Sequence, residues 1–320
     1  MESLVIMLKN VLVFVALALP GFLLVKSRVL KREYSAGLSK LLMYVGMPFL
    51  IFTSTIKNIT FNSEFLVLIS ISALFGITYT VAMFFMSAPL TSLEKNEKTR
   101  GMERFCAVFS NNGFLGIPLA MAVFGADSNA LTVLIIINII SNILMYTLGV
   151  YLISGDKSVI SIKKAFLNPV LIAFLLGMAC NLLNVNSYIP EVSIFSTHFS
   201  NIVTPISMTI MGIKLAETEI LTLFKSPKTY YVSFLKLVAF PIVIVTVLLI
   251  CRVSLSAHLF SADLILGAYV GFAMPTAGLA PTFADNFNGD TENSVAFTLG
   301  STLLSVLTIP LLYWMICALL

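Results

Sequence analysis

Charge is what this sequence has least of. Only 11% of its 320 residues are Asp, Glu, Lys or Arg, against 58% hydrophobic residues and a mean hydropathy of +1.00. That is too little polar surface to coat a water-soluble globule, so the composition excludes a soluble fold and points to an integral membrane protein. Cysteine and histidine are also sparse. Cys106, Cys180, Cys251 and Cys317 stand singly in apolar runs with no CxxC pair, and His198 and His258 lie far apart with no HExxH. Such spacing supplies neither a metal site nor a disulfide framework, and the cysteines read as small buried hydrophobes. A midplane acid is missing too. The fifteen acidic residues are expected almost entirely in loops or at span ends, whereas a proton or sodium antiporter keeps a carboxylate near the middle of the bilayer. No stretch is long enough to fold apart from the membrane body, and Ser110 and Ser301 have no intramembrane His or acid partner. An enzyme and a receptor with a sensory module are thereby set aside, and no cofactor is expected.

What the chain does have is apolar length. Ten stretches come near the roughly 20 residues a helix needs to cross hydrocarbon: about 4–25, 38–57, 65–88, 103–124, 130–153, 165–184, 196–216, 229–251, 263–288 and 294–319. The expected fold is an all-α integral membrane protein of ten transmembrane helices. Residues 1–25 resemble a signal peptide at Ala16-Leu17-Ala18, but the leading segment carries Glu2 and a single Lys, Lys9. It reads as the first span. Basic residues gather in alternate loops: Lys26, Arg28, Lys31 and Arg32; Lys95, Lys98, Arg100 and Arg104; Lys157, Lys163 and Lys164; Lys225 and Lys228. The intervening loops hold only Arg252. This asymmetry predicts a plasma-membrane protein with both termini on the non-cytoplasmic side, its basic loops meeting lipid headgroups and no nucleic acid.

Compared with itself, the chain repeats. Pro48 and Lys57 recur as Pro205 and Lys214 at an offset of 157; Pro118, Asn138 and Asn142 recur as Pro281, Ser301 and Ser305 at 163. These offsets predict a duplication, with residues 1–160 and 161–320 as two five-helix halves. An odd number of spans inverts the second half relative to the first, as in alternating-access carriers.

Two spans are interrupted. Ser110-Asn111-Asn112-Gly113-Phe114-Leu115-Gly116-Ile117-Pro118 breaks the fourth, and Met274-Pro275-Thr276-Ala277-Gly278-Leu279-Ala280-Pro281 breaks the ninth. Backbone freed by Pro and Gly is tolerated at membrane depth only where it is buried in protein or lines a cavity. Corresponding breaks in two halves point to a transporter's binding site. Each restarted half-helix presents unpaired N–H groups and about half a positive charge, which favours an anion. Asn111 and Asn112 add amide donors, with Gly113, Gly116 and Pro118 shaping the first break and Thr276, Gly278 and Pro281 the second. The competing role for such an Asn is packing between helices. Asn138, Ser141 and Asn142 share one helix face after the first break, as do Thr298, Ser301, Thr302 and Ser305 after the second. These faces either line the path or satisfy backbone freed by the prolines. Asp285, four residues past Pro281, serves either cation coupling or simple solvation. Lys236 lies about two turns inside the eighth span; snorkelling to the surface is the leading account, and attraction of an acidic substrate in a cavity the other.

Taken together, three motifs resemble the auxin efflux carrier family, whose bacterial members are described as malate or malonate permeases and whose plant members export auxin. They are Asn-x-Gly-Phe-Leu-Gly-x-Pro at 111–118, the Pro-containing break at 273–281 followed by Gly289-Asp290, and Gly-Ser-Thr-Leu-Leu-Ser at 300–305 ending in Ile309-Pro310. The resemblance covers essentially the whole chain. It implies two inverted five-helix repeats whose fourth and ninth helices cross at Pro118 and Pro281. It also implies a scaffold of helices 1, 2, 6 and 7 (about 4–57 and 165–216), a moving transport unit of helices 3–5 and 8–10 (about 65–153 and 229–319), and a homodimer. In the family an Asn ahead of the first crossing contacts the substrate carboxylate, which maps onto Asn112. The function expected is therefore a secondary transporter of small organic anions; the alternative is a sodium-coupled symporter of bile-acid-transporter type.

Overall fold

The computed structural model describes residues 2–31, 33–58, 62–125, 128–161, 163, 166–217 and 226–320; Arg32, Lys164 and Lys225 of the basic loops lie outside them. The described chain is helical nearly throughout. Its main helices are α1 (Glu2–Lys26), α2 (Tyr34–Lys57), α3 (Ser63–Leu90), α4 (Glu97–Val108), α5 (Asn112–Phe124) and α6 (Asn129–Ser154). They continue as α7 (Pro169–Leu182), α8 (Glu191–Ala216), α9 (Pro227–Ser254), α10 (Ala262–Ala273), α11 (Ala280–Asn286) and α12 (Thr291–Leu319). Six of them, α2, α3, α6, α8, α9 and α12, are long and apolar enough to cross a membrane. The fourth and ninth apolar runs are split, into α4 and α5 and into α10 and α11.

Local chemistry sets the starts. Asn62 caps α3, Asn96 α4, Ser128 α6, Asn168 α7, Ser261 α10 and Asp290 α12, each side chain accepting from a backbone N–H of the first turn. These short polar side chains satisfy donors that the helix ladder leaves open. Asp290 also accepts from Thr99 Oγ1 at 2.6 Å, tying α12 to α4.

Small residues set the packing. A Cβ on Gly212 of α8 would stand 1.9 Å from the Ala18 carbonyl oxygen of α1, and one on Gly21 2.1 Å from that of Thr209. The two helices therefore touch backbone to backbone, a contact that yields dispersion energy where lipid removes the hydrophobic drive. α2 rests on α7 and α8, with Thr53 Oγ1 donating to Ser196 Oγ at 2.8 Å and Asn181 Nδ2 to the Ile56 carbonyl at 3.0 Å. α6 is the most enclosed span: its run Val133–Ile137 is buried on all sides, against α3 and α10. That accounts for a stretch of helix apolar all round.

Four turns widen to π geometry: Leu42–Gly46 in α2, Asn112–Gly116 opening α5, Met145–Gly149 in α6 and Leu235–Ala239 in α9. Three of them end two residues before a proline, Pro48, Pro118 and Pro241. A proline ring collides with the carbonyl four residues earlier, and a wider turn moves that carbonyl away.

Candidate functional site

The two breaks meet. After α4 the chain runs extended from Phe109, and after α10 it runs extended from Met274. The segments pair antiparallel with Ser110 opposite Thr276: Asn111 N–H donates to the Pro275 carbonyl at 2.7 Å, and Ala277 N–H to the Phe109 carbonyl at 3.0 Å. Backbone that lipid cannot satisfy is thus satisfied by the other break. Side chains reinforce the exchange. Ser110 Oγ donates to the Phe272 carbonyl near the end of α10 (3.1 Å), and Thr276 Oγ1 to the Cys106 carbonyl near the end of α4 (2.9 Å).

The residues matched by the offset of 163 brace the two breaks in turn. Asn138 Nδ2 donates to Asn112 Oδ1 at 2.8 Å, while Ser301 Oγ accepts the Thr276 N–H at 3.1 Å. Asn142 Nδ2 donates to the Asn138 carbonyl at 2.8 Å.

A cavity of about 500 Å³ lies against this crossing. Asn111, Asn112, Gly113 and Gly278 enter its wall from the breaks, Asn138, Ser141 and Asn142 from α6, Tyr44 and Met47 from α2, and the exposed Lys163 from the segment before α7. The ladder of α5 begins with the Leu115 N–H bonded to the Asn111 carbonyl. The N–H groups of residues 112–114 therefore precede it at the helix's positive end, beside the cavity. A second cavity of about 470 Å³ shares Met43, Tyr44, Tyr146 and Leu279 with the first and carries Lys40, Lys214, Pro281 and Asp285.

Several sequence expectations end elsewhere. Thr276 and Ser301 are buried in the bracing of the second break rather than in the cavity wall. Gly116 and Pro118 are packing positions; a Cβ on Gly116 would stand 3.1 Å from Met274 Cγ. Ser305 borders a small apolar pocket of about 150 Å³ between α1, α5, α8 and α12. Asp285 is exposed and accepts from Thr291 Oγ1 at 2.6 Å. Lys236 neither snorkels nor lines the cavity. It is 1% exposed, in the π turn of α9, and its ammonium donates to the Val108 carbonyl at 3.2 Å and to Ser110 Oγ at 2.5 Å, directly behind the crossing. Glu103, expected at a span end, is buried at 4% exposure inside α4.

Sequence reasoning missed Tyr44, Tyr146 and Lys214 as wall residues. Lys214 Nζ donates to the Gly278 carbonyl at 2.9 Å, linking α8 to the second break. The available signals were the prolines: Met43 and Tyr44 lie in the π turn before Pro48, and Lys236 in the one before Pro241. π turns of this kind recur at functional sites.

Known proteins are similar to this chain in sequence. The sequence profile described as membrane transport protein matches the chain twice, over residues 5–162 and over 157–313. A transporter of Methanothermobacter thermautotrophicus, itself uncharacterised, is 29% identical over 209 residues, covering 65% of this chain and 67% of its own. One of Methanocaldococcus jannaschii is 27% identical over 213 residues, covering 64% and 68% respectively. The two profile matches meet at residues 157–162. A multi-pass helical chain with the family's domain present twice, it belongs to the membrane transport protein family, that of the auxin efflux carriers, and is a transporter rather than an enzyme.

Proposed function

We propose that the chain is a secondary transporter of small organic anions, working by alternating access around the crossed breaks. The observation that carries this reading is the placement of Asn111, Asn112 and the amide end of α5 on one wall of a 500 Å³ cavity. Helix N-termini and neutral amides favour a carboxylate without a fixed cation in contact with it, which would be costly in the empty site. The lysines around the two cavities, Lys40, Lys163 and Lys214, favour entry of an anion from their side.

In this reading the ten spans form two inverted five-helix repeats. Helices α1, α2, α7 and α8 act as scaffold, and the remainder carry the crossing past them. The cavity lies between Met47 of α2 and Asn138 of α6, on the seam between those two groups, where relative motion would open and close it. Lys236 bears on coupling. Its ammonium already takes the carbonyl and hydroxyl oxygens of an unwound segment, the ligand type that binds sodium in other carriers. Sodium coupling is accordingly the second reading.

The test is thermal stabilisation of the purified protein by a panel of mono- and dicarboxylates, with and without sodium, since a ligand that binds only the folded state raises its stability. We expect a shift with at least one carboxylate in sodium-free buffer, lost in Asn112→Ala. A shift with sodium alone would move the assignment to the symporter.

A further inference from the structure

The apolar pocket of about 150 Å³ lies between α1 and α8 on one side and α5 and α12 on the other. Leu115 and Leu119 of α5 and Met208 of α8 form its floor, each 8% exposed or less. The rim is open. Leu19 of α1 is 52% exposed, and Leu303 and Val306 of α12 are partly buried. One helical turn beyond the rim, Leu23 of α1 and Leu307 of α12 continue it as exposed apolar surface on the same two helices. The pocket thus has its mouth on the face turned to lipid and its end in the core.

Its chemistry selects what it takes. A buried water needs about 2–4 polar partners. This wall is almost wholly carbon, and the Ser305 hydroxyl on it donates to the Thr302 carbonyl of its own helix at 2.7 Å. An apolar cavity of this size stays dry and accepts a group of about benzene's size. That is too narrow for a protein helix, about 10–12 Å across with its side chains, and wide enough for an alkyl chain. The way in from the main cavity is tighter still: the gap bounded by Met208, Met211, Asn111 and Phe114 measures about 30 Å³, room for about one water. The supply of alkyl chains is therefore on the lipid side.

Atoms that line a void forfeit dispersion contacts on that side. An acyl chain entering from the bilayer restores them, and it loses no hydrophobic stabilisation, because the wall is as apolar as the lipid it leaves. We propose that this pocket is a lipid site, taking the end of one acyl chain of a bilayer phospholipid between the two pairs of helices. The pocket's walls belong to the two groups that the alternating-access reading moves past one another, so the chain lies in their seam. The site itself does not depend on that reading.

Photolabelling of the full-length protein tests it. The protein is reconstituted into phosphatidylcholine vesicles doped with phosphatidylcholine that carries a diazirine near the end of one acyl chain, and labelled positions are mapped by peptide mass spectrometry after illumination. A second sample in plain vesicles receives a diazirine-bearing decanoic acid from water. We expect the phospholipid probe to label Leu115, Leu119 and Met208 as well as the exposed Leu19 and Leu307. Leu134 and Ile137 of α6, both 0% exposed and outside the pocket, should stay unlabelled. Ser305→Phe, which puts a ring into the pocket, should abolish the floor label and leave that on Leu307.

Label confined to Leu19 and Leu307 would overturn the proposal, since lipid would then only surround the helices. Equal labelling of Leu134 and Ile137 would overturn it as well, because the floor would differ in nothing from the rest of the core. So would floor label that persists in folded Ser305→Phe. Floor label from decanoic acid but not from the phospholipid would assign the pocket to the tail of a soluble acid instead. No readout requires transport, so any of these failures leaves the organic-anion reading standing. If Ser305→Phe does not fold, the comparison of floor and control positions in the unmodified protein still decides.

Discussion

Gly212→Val is expected to leave little folded protein. A Cβ at this position would lie 1.9 Å from the Ala18 carbonyl oxygen and 2.8 Å from the Phe22 nitrogen, both main-chain atoms of α1. No rotamer change relieves such a contact; the two helices must separate. Overpacking in a filled interior costs about 1–3 kcal/mol when side chains can give way, and more where the obstacle is backbone. Against a total stability of about 5–15 kcal/mol, that is a large share. The check is the yield and melting temperature of monodisperse protein in detergent. Gly37→Ala in α2 is the matched control, because a Cβ there meets nothing within 4 Å. It should melt at or above the unmodified protein, as alanine is preferred over glycine inside a helix by about 0.5–1 kcal/mol.

Lys236→Met should weaken both fold and binding. The substitution shortens the side chain by one heavy atom, so it opens little void, but it removes the donor that serves the Val108 carbonyl and Ser110 Oγ. Val108 ends α4, where the break removes the helical partner its carbonyl would otherwise have. Each buried acceptor left open costs about 1–3 kcal/mol. Ser110 pairs opposite Thr276 and also lines the cavity, so its displacement reaches the binding wall. We expect a lower melting temperature together with at least a tenfold weaker response to carboxylates. An unchanged melting curve and an unchanged response would show that the ammonium has no part in holding the crossing.

Much of this was legible before the structure. Hydropathy marks the apolar runs, because only helices satisfy their own backbone in lipid. Pro and Gly locate the two breaks, and the equal offsets from Asn138 to Ser301 and from Pro118 to Pro281 anticipate two residues that brace corresponding breaks. What stayed hidden depends on tertiary placement. A lysine two turns inside a span has the same sequence signature whether it snorkels or turns inward, so the burial of Lys236 became visible only with the π turn that aims it. Glu103 is of the same kind: a residue beside a basic loop can be solvated or folded under the helix end. Thr276 of the second break and Ser301 of the polar stripe after it fit a binding wall or a brace equally well, and only their hydrogen bonds decide for the brace. Lys214 and Tyr146 enter the cavity walls because distant elements converge there, which periodicity does not record.

The central claim is that the crossing is where substrate is held during transport. Flux through proteoliposomes tests it most directly, using the carboxylate that stabilises the purified protein and comparing the unmodified chain with Asn112→Ala at equal amounts of correctly folded protein. Asn112→Ala also leaves Asn138 Nδ2 without its acceptor, a cost of about 1–3 kcal/mol to the fold that the comparison at equal amounts of folded protein removes. A hydrogen bond to a substrate carboxyl group is worth about 1.5–3 kcal/mol when the group is charged, which predicts a loss of roughly 10- to 100-fold in flux at low substrate. Flux unchanged in a well-folded Asn112→Ala protein would contradict the account and place the substrate elsewhere.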